Sequence, residues 1–216
     1  MAALGVASQK INVVYNGVDT GEFAPGAGDR ASFGLPEGPP MALFVGDIKT
    51  TRKNLETVLQ AMTHVPAMHL AVAGATEGSP YPEMARGLGL NERVHFIGKT
   101  SKIALLMRSV DLFVFPSRYE AHPLVLMEAL ASGLPIVVSG NFGAADYIGD
   151  GAIVLDDPND AAALAAALQV VVESPERRRA MANAARERTL TMQWKDTADG
   201  YLRVYEQLMA EANRAR

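Results

Sequence analysis

No cysteine occurs in the 216 residues. Disulfides, thiolate metal sites and a cysteine nucleophile are excluded together, and the composition fits a reducing compartment. Long apolar runs are also missing. No stretch approaches the roughly 20 apolar residues needed to cross a bilayer. The opening MAALGVASQKINVVYNG shows neither a signal peptide nor an anchor, so a soluble cytoplasmic protein without indicated membrane contact is expected. There is no excess of positive charge: 20 Lys and Arg stand against 24 Asp and Glu, a formal net charge of −4. That argues against general nucleic-acid binding but leaves room for a local basic site for a phosphate. Several catalytic signatures are absent as well. No G-x-S-x-G elbow is present, which disfavours a hydrolase of that kind. Gly98-Lys99-Thr100 ends like a P-loop, but Arg93 stands where the first glycine is required. Gly87-Leu88-Gly89 lacks the third glycine of a dinucleotide fingerprint. The acidic run Asp156-Asp157-Pro158-Asn159-Asp160 reads as a turn and helix cap, so no metal and no cofactor is expected.

What is present is a chain 49% apolar, enough for the core of one large domain. Short apolar runs alternate with amphipathic segments from residue 41 almost to the end. Met41 to Val45, His69 to Ala73, Val94 to Ile97, Leu112 to Phe115, Ile136 to Val138 and Ala152 to Leu155 read as strands. Each is continuous rather than alternating, as strands covered on both faces should be. Leu55, Val58, Leu59 and Met62 recur at helical spacing. Ile103 to Arg108 and Leu124 to Ser132 are predicted helices, the second stopped by Gly133. The order predicts an α/β fold, a Rossmann-like doubly wound parallel sheet. Further helices follow: an Ala-rich one carrying Leu164, Leu168 and Val171, the segment Pro175 to Leu190, and a last helix from Trp194 with Tyr201, Tyr205 and Leu208 on one face. Ile11 to Tyr15 is predicted as a strand ending in a turn, and residues 24–40, rich in Gly and Pro, as a loop.

In open parallel sheets, ligands bind beyond the carboxyl ends of the strands. That rim receives the loops Gly46 to Asn54, Gly74 to Pro82, Gly98 to Ser101 and Pro116 to Pro123. The first holds Lys49, Arg52 and Lys53; the last leads through Glu120 into a helix. Cations from one loop and a helix N-terminus from another make a candidate diphosphate site; a solvated turn is the alternative. Glu120 and Glu128 lie eight residues apart, before and within a helix expected to begin near His122. As acceptors close to a phosphate site they could grip sugar hydroxyls. A first-turn acid favoured by the helix dipole would explain Glu120 but serves Glu128 poorly.

Asn16-Gly17-Val18-Asp19, Phe44-Val45-Gly46 with Arg52-Lys53-Asn54-Leu55, and Pro116-Ser117-Arg118-Tyr119-Glu120 continuing from Leu124 to Pro135 together resemble the second domain of family-4 GT-B glycosyltransferases, the "glycosyl transferases group 1". The resemblance covers about residues 10 to 210. It implies a retaining glycosyltransferase, of hexosyltransferase type, whose donor is a nucleotide-diphosphate sugar and which needs no metal. Lys53 then matches the lysine that contacts the diphosphate, Glu128 the acid on the ribose hydroxyls, and Glu120 the acid beside the donor sugar. Lys53 and Glu120 are the implied catalytic residues. Gly46 and Arg52 belong to the phosphate loop, the loop at Gly98 faces the nucleobase, and Leu124 and Val125 offer backbone N–H groups to the diphosphate.

Two positions depart from that family's pattern. Asp47 stands where an arginine is usual, which calls for Arg52 or Lys49 to supply the cation and for Asp47 to point away or pair with Arg52. Ala121-His122-Pro123 stands where Gly-Phe-Gly is usual; Pro123 has no N–H to give, and His122 is the candidate replacement on the donor or a loop histidine without a role. The chain is expected to be one nucleotide-sugar-binding domain, residues 1–216. Its core spans about 10–193, and a helix over 194–213 crosses back to an N-terminal acceptor domain, present in cis or as a partner in trans. Apolar surface near that helix or the rim loops should then be exposed. Alternative readings are a noncatalytic nucleotide-binding or assembly module docking on a partner, and half of a GT-B-type sugar-nucleotide epimerase. In the family such reactions often serve polysaccharide biosynthesis.

Overall fold

The computed structural model describes residues 5–141 and 148–214. Six strands form the sheet: β1 (Met41–Val45), β2 (His69–Ala73), β3 (Val94–Gly98), β4 (Leu112–Phe115), β5 (Ile136–Ser139) and β6 (Ala152–Leu155). Their order is β3-β2-β1-β4-β5-β6, and every pairing is parallel. Alternate residues of each strand feed opposite faces. Ala42, Phe44, Leu112 and Val114 enter one core cluster, while Met41, Leu43, Phe113 and Phe115 enter the other. Both faces are covered, and this is why the strands read as unbroken apolar runs.

The first face is closed by α1 (Leu55–Met62), α2 (Tyr81–Gly87) and α5 (Ala161–Glu173) through Leu55, Val58, Leu59, Tyr81, Leu164 and Leu168. The second is closed by α3 (Ile103–Arg108) and α4 (Leu124–Ala131) through Leu106, Met107, Leu126 and Leu130. Then α6 (Pro175–Thr189) and α7 (Trp194–Arg214) complete the chain. Asp160 caps α5 by accepting from the Ala163 N–H at 2.9 Å. Ser174 caps α6 at Arg177 N (3.2 Å), with Pro175 at the first helical position.

The segment 24–40 is irregular apart from one 3-10 turn, Ala31–Phe33. It is fastened by Arg30, whose guanidinium bonds Asp111 (2.8 Å), Ser109 O (2.8 Å) and Pro39 O (3.0 Å). The strand expected over Ile11 to Tyr15 does not form. It pairs with neither sheet edge, β3 or β6, and among the described residues an isolated bridge, Val18 to Gln193, is the strand-type pairing in this part of the chain. Val13 is exposed and Val14 lies against Gly200 of α7. The short helix α2, not singled out in the sequence, begins at the last two residues of the rim loop Gly74 to Pro82; Pro82 at its second position is the local signal for it. The helix expected near His122 begins at Leu124, because the residue before Pro123 is kept out of the α region and Pro123 itself takes an extended ψ of 112°.

One face of α7 is uncovered: Trp194, Tyr201, Leu202, Tyr205, Leu208 and Met209 are all exposed. Its buried residues, Thr197 and Gly200 near its start, pack on the N-terminal segment, where Thr197 Oγ1 donates to Tyr15 O at 2.8 Å.

Candidate functional site

The strand order reverses direction between β1 and β4, and at such a switch point the loops leaving two adjacent strands part to form a crevice. The loop after β1 carries Arg52 and Lys53 into it; the loop after β4 carries Ser117 and Glu120. Their side chains meet. Glu120 Oε1 accepts from Arg52 Nη1 at 2.7 Å, from Lys53 Nζ at 2.7 Å and from Ser117 Oγ at 3.1 Å. The three charged side chains differ in exposure. Lys53 is 13% and Glu120 10% exposed, whereas Arg52 is 50% exposed. The Lys53 ammonium also lies 4.8 Å from the centre of the Phe115 ring. It is a fixed, largely desolvated cation in a cluster whose two positive charges exceed its one negative charge.

Lys53 is placed by its neighbour. Asn54 is the one non-glycine residue with positive φ among the described residues (φ 63°) and is fully buried. Its amide Nδ2 donates to Pro116 O at 3.0 Å and to Pro158 O at 2.6 Å, and its Oδ1 accepts from Thr57 Oγ1 at 2.9 Å. Three separate loops are tied at that side chain, and the left-handed turn aims Lys53 inward. The two crevice loops are further joined by Arg118 N to Arg52 O (2.9 Å) and by Arg118 Nη1 to Thr51 O. In the sequence Asn54 and Ser117 are only letters of the motifs. Nothing in their spacing announces that one sets the backbone of Lys53 and the other touches Glu120.

Beside this cluster, an open depression of about 800 Å³ lies over the ends of β1, β2 and β3, lined among others by Gly46, Asp47, Lys49, Gly74, Gly98 and Thr100. Gly46 joins the two regions. A Cβ there would come within 3.2 Å of the Lys53 stem. At Gly74 a Cβ would collide with the Gly46 carbonyl oxygen, so the floor of the depression requires close backbone approach. Asp47 does not pair with Arg52. Its Oδ1 turns back to accept from Lys49 N at 2.9 Å, and Arg52 goes to Glu120 instead.

Helix α4 points its N-terminus at the same crevice loop. Leu126 N bonds Pro123 O (3.1 Å), whereas the Leu124 and Val125 N–H groups have no backbone acceptor among the described residues. Glu128, the fifth residue of α4, is half-buried. Burial, and secondarily the Glu22 carboxylate, pushes its carboxyl above the usual range. His122 is set apart from the cluster. Its ring packs 5.7 Å from that of Tyr15, it lines a second cavity of about 210 Å³ with Met127 and Gly200, and its buried Nδ1 has no partner among the described residues. Burial lowers its pKa, so the ring is neutral at neutral pH. Among the described residues no group of three or more His, Cys, Asp or Glu could hold a metal ion, and no helix is long and apolar enough to cross a membrane.

The raised carboxyl of Glu128 makes a stability prediction. The native state holds its proton to higher pH than the unfolded chain, whose value lies near 4.5, so ionised Glu128 opposes folding. The cost is absent below the unfolded value and grows as pH rises through the folded one. Glu128→Gln is therefore expected to melt higher than wild type at pH 7, with the difference closing toward pH 4. A variant that melts lower at pH 7 would contradict it.

A six-stranded parallel sheet of this order, with a cationic crevice at its switch point, defines a Rossmann-like α/β domain. Residues 27–188 match the family model described as "Glycosyl transferases group 1", and the chain belongs to that family, whose enzymes are glycosyltransferases of the GT-B type. It is 32% identical over 225 residues to the D-inositol 3-phosphate glycosyltransferase of Mycobacterium tuberculosis, covering 98% of this chain and 47% of that protein. The chain thus spans about half the length of the curated relatives it matches. Among solved structures, sucrose-phosphate synthase from Thermosynechococcus elongatus superposes with a TM-score of 0.82 at 28% identity, covering 91% of this chain and 52% of that one. The C-terminal domain of a glycosyl transferase group 1 family protein (LpcC) from Francisella tularensis shares the fold, with a TM-score of 0.70 at 19% identity, covering 81% of this chain and 97% of that one.

Proposed function

We propose that this chain is the donor-binding half of a retaining glycosyltransferase, moving a sugar from a nucleotide-diphosphate sugar to an acceptor hydroxyl. The observation that carries the reading is the convergence of Lys53, Arg52, Glu120 and the α4 N-terminus at the switch point. A leaving diphosphate gains negative charge in the transition state, and fixed cations with free N–H groups stabilise that charge without reorganising. Lys53 and Arg52, with the Leu124 and Val125 amides, take the diphosphate. Glu120 takes the donor sugar and Glu128 the ribose. The depression from Gly46 to Gly98 takes the base. His122, facing the second cavity, reaches the donor only if the chain between Glu120 and Pro123 shifts. The leaving phosphate, rather than a side chain, assists deprotonation of the acceptor on the same face.

The chain acts in this reading as one domain, its core over about 10–193, with the uncovered face of α7 docking on an acceptor-binding domain in cis or in trans. Alone it binds donor and transfers poorly. A cytoplasmic location belongs to the same reading and is checked by cell fractionation. The direct test is a melting survey with UDP, GDP, ADP and their sugar conjugates. One nucleotide at about 100 times its dissociation constant adds roughly 2.7 kcal/mol, and Glu128→Ala reduces that gain. If no nucleotide raises the melting temperature of the folded chain, the reading fails.

A further inference from the structure

We infer that Arg52 is a transferable cation, held by Glu120 Oε1 before donor binds and handed to the diphosphate on its arrival, so that this carboxylate oxygen gives up one of its two cations only once the diphosphate is in place. This rests on the donor-site reading above and adds an order to it.

Three observations lead there. First, Glu120 Oε1 is shared among Arg52, Lys53 and Ser117, all within 3.1 Å, so this oxygen has no room for a sugar hydroxyl while both cations hold it. Second, the two cations differ in freedom. Lys53 is buried over Phe115 and fixed by the Asn54 turn, whereas the Arg52 side chain is half exposed and meets the cluster through its guanidinium at 2.7 Å. Only Arg52 can leave without uncovering a buried charge, because Lys53 stays on Glu120. Third, the two carboxylates close to Arg52 in sequence are engaged elsewhere, Asp47 at Lys49 N and Glu56 with Arg118 Nη2 at 3.7 Å, so Glu120 is the anion that competes with a ligand for Arg52. A diphosphate carries more charge than one carboxylate and offers the guanidinium a two-point contact, so it wins the exchange. Glu120 is then both a sugar acceptor and a brake on phosphate binding.

The brake gives a sign that a merely structural Glu120 would not produce. Inorganic pyrophosphate, which has neither base nor sugar, is titrated calorimetrically into wild type, Glu120→Gln, Arg52→Ala and the double variant. Glu120→Gln is expected to bind pyrophosphate about tenfold tighter and Arg52→Ala about tenfold weaker. In the Arg52→Ala background the gain from Glu120→Gln shrinks to about threefold or less, because only Lys53 remains to be released. The wild-type chain gives a second readout that needs no change at Glu120. The Arg52 side-chain NMR resonances, assigned with Arg52→Lys, shift with the same midpoint as the heat. Unchanged or weaker pyrophosphate binding by folded Glu120→Gln, or Arg52 resonances that do not move at saturation, overturns the exchange. If pyrophosphate binds and Lys53→Ala abolishes it, the donor site stands even when the exchange fails. If wild type binds no pyrophosphate, the exchange falls, while the donor-site reading stands or falls by the nucleotide melting survey.

Discussion

Lys53→Ala is expected to weaken nucleoside-diphosphate binding by about 30- to 100-fold, corresponding to the roughly 2–3 kcal/mol of a charge-assisted contact in a poorly solvated site. The magnitude follows from where the ammonium sits. At 13% exposure, over the Phe115 ring and 2.7 Å from Glu120, it has already lost most of its water. An anion arriving there meets an oriented charge and needs little further desolvation of the protein. Removing the amine also leaves Glu120 with only Arg52 and Ser117 as partners, and the folded state is expected to lose about 1–2 kcal/mol. Two further variants separate these effects. Lys53→Met keeps the stem against Gly46 and should recover part of the stability but none of the affinity. Lys53→Arg restores charge but brings a planar fork into a place shaped for a point charge, and should recover affinity only in part. Calorimetric titration with the nucleotide selected in the melting survey decides the matter. An affinity for Lys53→Ala within threefold of wild type would remove Lys53 from the site.

The strands show how far local pattern reaches. Phe44 and Phe115 can be placed in buried strands from sequence, because an unbroken apolar run of four or five residues stopped by Gly46 or Pro116 is too short for a helix and too apolar for a loop. The rim loops follow from the parallel order, and with them the neighbourhood of Lys53 and Glu120. What pattern misses is long-range or individual. Ile11 to Tyr15 has the residues of a strand but pairs with neither sheet edge, packing instead against α7 through Val14 and Tyr15, and that choice is a property of the finished fold. Arg52 and Glu120 are 68 residues apart, so the exchange of Asp47 for Glu120 as Arg52's partner depends on loop geometry that no local spacing encodes. His122 adjoins the motif in sequence, yet its ring turns to Tyr15 and the second cavity, because Pro123 holds the preceding backbone extended. The apolar face of α7 is legible as a helical stripe. Its exposure rests on the absence of a covering element among the described residues.

Asn54 carries the largest expected effect on stability. Alanine there loses the amide that serves Pro116 O and Pro158 O, leaving two buried carbonyls short of a donor, and it must still adopt φ 63°. Desolvated, unpaired carbonyls and a left-handed non-glycine residue together cost about 3–4 kcal/mol. Asn54→Gly relieves the backbone but not the carbonyls, so it should be about 1 kcal/mol less damaging. Asn54→Asp isolates the donor. The side chain keeps its size, its tolerance of the left-handed region and an oxygen for Thr57, but at neutral pH it turns a carboxylate toward two carbonyl oxygens. Burial and those oxygens favour the protonated acid, which can donate one of the two lost bonds, so its folded pKa rises above the unfolded value. The contribution to stability is then present below the unfolded pKa and lost as pH rises through the folded one. Urea unfolding at pH 4 and pH 8 is expected to show Asn54→Asp gaining on wild type as pH falls, while Asn54→Gly keeps a constant gap. Folded Asn54→Gly should also bind the nucleotide more weakly, since the turn that aims Lys53 is no longer tied to the other two loops. Should Asn54→Gly match wild type in both stability and affinity, the side chain of Asn54 would have no part in placing Lys53, and the Lys53 position would rest on the Phe115 and Glu120 contacts alone.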